Sequence, residues 1–402
     1  MTARHRAARR RRRERSTVVG RHLFATTAAV VVLGLTPIWV SLASALNDPG
    51  LGVGVPARFA EWTREHGGGS VVSWAEKLWY AHHQPPVGGE PRNGTIPPPP
   101  PGNATTTAAS AVALPAPKPL APLASPAVPG EGLWHPAGRE VDGVPSVYEA
   151  FLRPDPIHTS LVVGVAWLDT RLLSATLYSG STIPGGGPYP DTAPIRPRSA
   201  STLVAAFNAG FLMSNANGGY YTDGRTIVPL REGAASFVID RNGSATVAKW
   251  GRDATLTKDV VAVRQNLGLL VDNGRPVPGL DANDTTAWGY TLGNQVYVWR
   301  SGVGVTADGA LVYVGGPGLN ITTLADLLVR AGAVRAMELD INTDWVNFAT
   351  YSPATPTGPA TPANGRDLLS DMAGAPNRYF EPWWSRDFFT LSARPFAAAK
   401  AG

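Results

Sequence analysis

The sequence lacks cysteine and has little histidine, and these two absences exclude several classes of protein. Without cysteine, the 402-residue chain forms no disulfides, binds no zinc or iron–sulfur cluster through thiolates, and has no thiol nucleophile. Of its seven histidines, only His135 and His158 lie beyond residue 130. We therefore expect no histidine metal cluster and no Ser-His-Asp triad. An enzyme built on this chain would rely on carboxylates, amides and arginines.

Common hydrolase and nucleotide-binding motifs are also missing, and the positive charge is confined to one end. The sequence has no G-x-S-x-G, H-E-x-x-H or P-loop pattern. Nine arginines and one glutamate give residues 1–21 a charge of +8, which leaves −3 for the rest of a chain whose total is +5. The basic character belongs to the N-terminal tail, so we expect no nucleic-acid partner.

An uncharged apolar segment follows this basic tail, which we place at residues 1–22. Residues 23–46 contain no charged side chain. As a helix they would span about 36 Å, against about 30 Å for a bilayer core. The sequence thus predicts a single-pass transmembrane helix, with the N-terminus cytoplasmic and the C-terminal domain extracellular. A cleaved signal peptide is the alternative, because Ala43-Ser44-Ala45 has the small-x-small form of a cleavage site.

The remaining chain divides by composition into a stalk, a linker and a large domain. Residues 47–84 predict a juxtamembrane stalk of one or two helices, broken at Gly67-Gly68-Gly69. Residues 85–130 contain 14 prolines, which is typical of a semi-rigid polyproline spacer. Residues 131–402 are long enough for one substantial core, and we expect a single extracytoplasmic domain there.

Turn dipeptides and strand-like runs predict that this domain is β-rich. Asn242-Gly243 separates two such runs and predicts a hairpin of 236–240 with 245–250. The runs 161–168 and 172–178 predict a second pair of strands. Further strands are expected at 268–271, 295–300, 311–314 and 334–341.

One helix is expected near residue 325, between two of the predicted strands. It would begin after Thr322 or Thr323 as N-cap and end at Gly332. One face would carry three leucines, Leu324, Leu327 and Leu328. A β-rich domain with a few helices corresponds to a mixed α/β fold of the α+β class.

Polar side chains end two of the apolar strands. Asn208 ends the first, and Gly210 after it would let the backbone approach a ligand closely. A turn asparagine that caps the strand end is the alternative. Arg300 ends the second strand and could clamp a phosphate or carboxylate through two parallel hydrogen bonds. A structural ion pair is the alternative for Arg300.

A third segment concentrates acidic side chains. Glu338 and Asp340 lie two residues apart, so a strand would place them on the same face. Asn342 joins that face and Asp344 follows it. Buried carboxylates are costly unless they are paired, protonated or metal-bound, so this pattern indicates an acid/base or cation site. No cofactor is certain, and Ca²⁺ is the divalent cation that such oxygen ligands would suit. An exposed edge with solvated acids is the alternative.

In this order, these segments resemble the phosphodiester glycosidase family over roughly residues 160–350. The resemblance is carried by FNAGF at 207–211, VRQNLGLLVDNGRP at 263–276, WRSGVGVTADGALVYV at 299–314 and TTLADLLVRAGAVRAMELD at 322–340. It implies a mixed α/β domain that acts on a sugar linked through phosphate, with site residues at Asn208, Arg300 and Asp340. The family typically reads NLDGGGS where this chain reads ELDINT at 338–343. Asp340 is retained, but the glycine run is lost.

The resulting hypothesis is a membrane-anchored extracytoplasmic hydrolase that cleaves a sugar-phosphodiester linkage in envelope glycan or a related glycoconjugate. Arg300 would neutralise the phosphodiester, the two carboxylates would share acid/base or nucleophile roles, and Asn208 would hold a sugar hydroxyl or the leaving oxygen. The catalytic candidates are Asp340, Glu338, Arg300 and Asn208, and the substrate-binding candidates are Asn342, Asp344 and Gly210. The lost glycine run favours an alternative, a catalytically inactive module that binds or scaffolds envelope glycan. A purely structural stalk is a third alternative.

Overall fold

The computed structural model of the chain describes residues 34–52, 54–82, 84–100, 113–289, 291, 295–374 and 376–394. The chain divides into two compact units, Met1–Val72 and Ser73–Gly402. Within the described residues, no helix is both long enough and apolar enough to cross a membrane. The predicted tail 1–22 and the part 23–33 of the predicted transmembrane helix lie outside the described residues, whereas residues 34–46 are helical.

The segment predicted as a stalk contains two helices. Helix α1 spans Val55–Thr63 and helix α2 spans Gly69–His82, after a 3-10 turn at Pro49–Leu51. Between the helices, the backbone leaves helical geometry at His66 and Gly67, and the φ of Gly67 is +84°. This left-handed conformation suits glycine, so the predicted break at the glycine run is confirmed. The placement of these helices beside a membrane stays a prediction.

The described strands of the second unit form three antiparallel sheets, and their bounds are as follows. The large sheet has the order β1 (His135–Val141), β2 (Val144–Leu152), β3 (Val163–Leu168), β14 (Leu311–Leu319), β13 (Val298–Thr306), β15 (Ala333–Glu338), β11 (Leu269–Asp272) and β12 (Arg275–Pro276). The second sheet has the order β7 (Arg225–Val228), β6 (Tyr220–Thr222), β10 (Val260–Gln265), β8 (Ala235–Asp240) and β9 (Ala245–Lys249). The third has the order β17 (Gly365–Asp367), β16 (Phe348–Tyr351), β5 (Leu203–Asn208), β18 (Phe388–Ala393) and β4 (Leu173–Tyr178).

The helices of this unit are short by comparison. Helix α3 spans Pro197–Ala200 and helix α4 spans Ile321–Arg330, and 3-10 turns occupy Pro362–Asn364 and Arg378–Phe380. A β-rich domain with a few helices confirms the predicted α+β class.

The hairpin around Asn242-Gly243 is confirmed, because β8 and β9 pair antiparallel across this turn. The second predicted strand pair is wrong in its pairing. Both strands exist, but β3 pairs with β2 and β14, whereas β4 pairs with β18. The turn between them is held by Asp169, whose Oδ1 accepts the amides of Arg171 and Leu172 at 2.8 and 3.3 Å. This turn carries the chain from one sheet to another and does not close a hairpin.

Helix α4 packs on the large sheet and confirms the predicted leucine face, since Leu324, Leu327 and Leu328 are all buried. Its N-cap is Asn320, two residues before Thr322 and three before Thr323, the two predicted caps. Asn320 Oδ1 accepts the amide of Thr323 at 2.8 Å. The helix lies close over β13, where a Cβ on Gly302 would be 3.0 Å from Leu328 Cδ1. Glycine at this strand position therefore makes room for the helix.

The C-terminal half of the segment predicted as a linker belongs to the folded unit. Leu114 and Leu120 are buried, and their amides donate to Asp169 Oδ2 at 2.7 Å and to the Gly132 carbonyl at 2.8 Å. The proline content predicted an unpacked spacer here, but these leucines belong to the same buried apolar cluster as residues of β2 and β3. The structure thus starts the packed region before residue 131, and residues 101–112 lie outside the described part of the chain.

The main core lies where strands of the three sheets meet. Phe207 of β5, Tyr313 of β14 and Phe348 of β16 lie with ring centroids 5.0 to 6.0 Å apart. Phe237 of β8 and Phe389 of β18 extend this group at 4.1 Å from each other. Polar groups at one end of this aromatic cluster form the candidate site.

Candidate functional site

Asn208 ends β5 and joins three strands. Its Oδ1 accepts the Tyr313 hydroxyl at 3.1 Å and the Asn347 amide at 3.2 Å, while its Nδ2 donates to Ser301 Oγ at 3.1 Å. Asn208 is 5% exposed, so these bonds satisfy a buried amide. These contacts match the alternative interpretation of Asn208, a structural asparagine that caps the end of a strand.

Ser301 links Asn208 to Asp340. Its Oγ donates to the Asp340 carbonyl at 3.1 Å and accepts the Asp340 amide at 3.2 Å. Its own amide donates to the same carbonyl at 2.8 Å. The backbone of Asp340 is therefore held at three points by one residue of β13, which fixes where the Asp340 side chain starts.

Asp340 is 2% exposed, and its carboxyl is anchored through one oxygen. Oδ1 accepts the amides of Ile341 at 2.7 Å and Asn342 at 3.0 Å. Burial raises the pKa of Asp340 above its ordinary value, while the positive charge of Arg386 and the two amide bonds act in the opposite direction. Such a carboxyl can exchange a proton closer to neutral pH than a solvated aspartate.

Glu338 and Arg300 form an ion pair that is fully buried. Arg300 Nη1 lies 2.6 Å from Glu338 Oε1, and both side chains are 0% exposed. Arg300 also donates to the carbonyls of Trp288 at 2.9 Å and Leu319 at 3.2 Å. Among the described residues, Glu338 Oε2 and Arg300 Nη2 have no hydrogen-bond partner. The alternative considered for Arg300, a structural ion pair, thus matches its contacts.

Burial raises the pKa of Glu338 to about 7. The Arg300 guanidinium opposes this rise, and the nearby charge of Asp340 adds to it. Glu338 is therefore the carboxyl of this site that changes charge near neutral pH, a property common to acid/base residues.

The two carboxyls are neighbours with different partners. Strand β15 ends at Glu338, but the Leu339 amide and the Asp340 carbonyl still pair with Ser301 of β13, and the shared face of the two carboxyls stays a prediction. Glu338 contacts Arg300, whereas Asp340 turns back onto the amides that follow it. The two residues are two positions apart in the chain, and the charge of Asp340 adds to the rise in the pKa of Glu338.

A second buried ion pair supports the same site from β10. Arg264 Nε lies 2.5 Å from Asp387 Oδ2, and both side chains are 0% exposed. Asn266 Nδ2 donates to the carbonyls of Glu338 at 2.8 Å and Leu339 at 3.0 Å. A Cβ on Gly210 would lie 3.4 Å from Arg264 Nη2 and from Asn266 Cγ. Gly210 thus packs against these two supporting side chains.

Asn342 and Asp344 lie in the turn after Asp340. Asn342 is exposed and Asp344 is half-buried. Asn342 Oδ1 accepts the amide of Asp344 at 2.9 Å, and the Asn342 carbonyl accepts the amides of Trp345 and Val346 at 2.9 Å each. These bonds shape the turn that leads from Asp340 to solvent. The described residues hold no group of three or more acidic or histidine side chains arranged for a metal ion.

Comparison with known proteins assigns part of the chain to a protein family. A sequence profile described as phosphodiester glycosidase matches residues 201–340. Residues 201–340 belong to the phosphodiester glycosidase family. The matched segment contains Asn208, Arg300 and Glu338 and ends at Asp340, and the match supports a hydrolase of the glycosidase type. No curated protein matches the chain.

Two solved structures are similar to this chain at low identity. The catalytic domain of zebrafish N-acetylglucosamine-1-phosphodiester alpha-N-acetylglucosaminidase, auto-inhibited by its pro-peptide, is 14% identical with a TM-score of 0.38, over 65% of this chain and 88% of that one. A hypothetical protein from Synechocystis is 14% identical with a TM-score of 0.34, over 65% of this chain and 64% of that one.

Several residues around the candidate site were missed by the sequence analysis. Ser301 follows the predicted site residue Arg300, and Asn266 lies within the segment 263–276 that resembles the family. Local sequence could therefore have indicated both as site residues. Asn347 and Asp387 carry little local signal, because their partners Asn208 and Arg264 lie 139 and 123 residues away. Only the folded chain brings these side chains together.

Proposed function

We propose that this phosphodiester glycosidase domain hydrolyses the bond between a sugar and a phosphodiester group, in envelope glycan or a related glycoconjugate. The observation that carries the proposal is the pair of buried carboxyls at the end of β15, Glu338 and Asp340, both with raised pKa. They lie inside the segment that matches the family. Most glycoside hydrolases use two carboxyl groups to break a glycosidic bond.

In the proposed reaction, the bond between the anomeric carbon and the phosphate oxygen breaks. Water supplies a hydroxyl to the sugar and a proton to the medium, and the phosphate leaves as a monoester. Asp340 is the carboxyl that contacts the substrate, because it borders the exposed turn at 342–343 and its Oδ1 is already held by two amides. Its Oδ2 would act on the anomeric carbon or on the attacking water.

Glu338 and Arg300 take a different role from the one that their sequence pattern suggested. Because Arg300 is fully buried and paired, it would hold Glu338 in place and would not contact the phosphodiester. Glu338 is equally buried, so with a pKa of about 7 it would exchange the proton that accompanies bond cleavage through one intervening water and not by direct contact. Asn208 and Ser301 would position Asp340 through its backbone.

The test is turnover by the purified full chain with a panel of sugar-1-phosphodiesters, with and without Ca²⁺. Asp340→Asn should lower kcat by about 100- to 10,000-fold, the range for losing an acid/base group. Asp308→Asn is the matched control, because Asp308 is exposed at the far end of the β13–β14 hairpin. It should retain full activity. Turnover that survives in Asp340→Asn would overturn the role of Asp340.

A catalytically inactive glycan-binding module is the second candidate function. It is favoured by the buried, internally paired Arg300–Glu338 contact and by Ile341-Asn342-Thr343 in place of the family's glycine run. Binding of wall polymer by the full chain, with no sugar release across the panel, would support this module. Sugar release that depends on Asp340 would eliminate it.

We further propose that the chain is anchored in the cell membrane through residues 23–46, with the domain outside. The support is the uncharged length of this segment and the charge of +8 before it. Cell fractionation should place the full chain in the membrane fraction until detergent is added. A mature N-terminus just after Ala45, determined by mass spectrometry, would show instead that the segment is a cleaved signal peptide.

A further inference from the structure

Ile341 follows Asp340 in the chain and is half-buried. Its amide donates to Asp340 Oδ1 at 2.7 Å, a shorter bond than the 3.0 Å bond from the Asn342 amide. Its side chain contacts a different part of the chain. A Cβ on Gly289 would lie 2.6 Å from Ile341 Cδ1, so this methyl group packs directly on the Gly289 backbone. Ile341 therefore joins the carboxyl of Asp340 to the loop that precedes β13.

This loop, at residues 288–289, offers a fixed surface to the Ile341 methyl group. The Trp288 carbonyl accepts Arg300 Nη1 at 2.9 Å, and the Trp288 side chain packs against the buried apolar cluster that includes the leucines of α4. Gly289 has a φ of +88°, a left-handed conformation that suits glycine. Because Gly289 has no Cβ, the Ile341 side chain can approach the loop backbone closely.

Phe211 packs on the same point of the loop. The position of a Cβ on Gly289 is also 2.8 Å from Phe211 Cζ, so the ring edge and the Ile341 methyl group meet over one glycine. Phe211 is 7% exposed, and its amide donates to Asn266 Oδ1 at 3.4 Å. Its carbonyl accepts Arg264 Nη2. Both neighbours of the Ile341 side chain are thus held by buried polar groups of the candidate site.

We propose that Ile341 is a positioning residue for Asp340, because its side chain, packed on Gly289 beside Phe211, fixes the turn whose amides hold the Asp340 carboxyl. This inference rests on the proposed hydrolysis of sugar phosphodiesters, in which Asp340 contacts the substrate. A β-branched side chain has few rotamers, so a packed isoleucine restricts its own backbone, whereas glycine at this position would leave the turn free. A displaced carboxyl slows the chemical step while substrate binding is kept.

The test is turnover of the sugar-1-phosphodiester panel by the full chain. Ile341→Gly should lower kcat by about 10- to 100-fold and leave KM within about twofold. Ile341→Leu keeps a terminal methyl group and should retain kcat within about threefold. Because the amide bonds of the turn lower the pKa of Asp340, their loss in Ile341→Gly should also move the acidic limb of the kcat profile to higher pH. A change confined to KM, an unmoved acidic limb, or an equal loss of kcat in Ile341→Leu would overturn the inference.

The matched control is Ile157→Gly, because the Ile157 amide also donates to an aspartate, Asp155 Oδ1 at 2.6 Å, while the Ile157 side chain is 53% exposed. It should change neither kcat nor KM. If the wild-type chain hydrolyses no substrate, the proposed function fails, and hydrogen exchange of the Ile341 and Asn342 amides, measured by mass spectrometry, then tests the positioning alone. Exchange that is about tenfold faster in Ile341→Gly and unchanged in Ile341→Leu and Ile157→Gly supports the inference. Unchanged exchange in Ile341→Gly overturns it.

Discussion

The Arg300–Glu338 pair allows one prediction to be worked through in detail. Its atoms are 2.6 Å apart and both side chains are 0% exposed, so the small values measured for surface ion pairs do not apply. Removing one partner of a buried pair leaves an uncompensated charge and typically costs about 3–5 kcal/mol. Arg300→Met leaves the Glu338 carboxylate buried without its partner. We therefore expect this variant to lose about 3 kcal/mol in the free energy of unfolding.

The assay is urea unfolding of the full chain at pH 8, where Glu338 is ionised. Glu338→Gln removes a charge that burial disfavours, so it should cost less than Arg300→Met, and the double variant should lose clearly less than Arg300→Met alone. Glu90→Gln, at an exposed glutamate, should stay within about 0.5 kcal/mol of wild type. Additive losses, or a loss below about 1 kcal/mol for Arg300→Met, would refute the argument.

The contribution of Glu338 to the free energy of unfolding should depend on pH. The pKa of Glu338 is raised from 4.5 to about 7 in the folded chain, so between these values the folded state binds more protons than the unfolded state. The contribution of Glu338 to stability is thus fully present below about pH 4.5 and is lost as the pH rises to about 7. Glu338→Gln should remove this slope, and an unchanged slope would contradict the pKa shift.

Three further predictions concern the surrounding fold. Asn320→Ala removes the N-cap of α4 and should cost about 1 kcal/mol, visible as a lower Tm, whereas an unchanged Tm would place the cap elsewhere. Gly302→Ala puts a Cβ 3.0 Å from Leu328 Cδ1 and should cost about 1–3 kcal/mol in urea unfolding, and an unchanged free energy of unfolding would contradict this close packing. Burial raises the pKa of Asp367 from 3.8 to about 6, so its share of stability should fall as the pH rises through that window. Asp367→Asn should flatten this part of the pH profile of Tm, and an equally steep profile would count against it.

Features that depend on neighbours in the chain were the ones that sequence reasoning predicted well. The β8–β9 hairpin follows from a turn dipeptide between two apolar runs, and the leucine face of α4 follows from helical periodicity. Both are decided within about a dozen residues. The order of the site segments along the chain was also sufficient to indicate the phosphodiester glycosidase family.

Features that depend on distant partners were predicted poorly. The pairing of β3 with β14 and of β4 with β18 joins segments far apart in sequence, and no local pattern distinguishes these pairings from a hairpin. Arg300 was recognised as important, but its partner Glu338 stands 38 residues away, so its role could not be separated from phosphate binding. The buried leucines at 114 and 120 were hidden by the surrounding prolines.

The central claim is that the domain breaks the bond between a sugar carbon and a phosphate oxygen, with Asp340 as the carboxyl that acts there. The most direct measurement is hydrolysis of a sugar-1-phosphodiester by the full chain in oxygen-18 water, followed by mass spectrometry of both products. We predict that the label enters the released sugar and not the phosphate monoester, and that labelling is absent in Asp340→Asn. Label in the phosphate would show cleavage of a phosphorus–oxygen bond, and that result, or unchanged labelling in Asp340→Asn, would contradict the account.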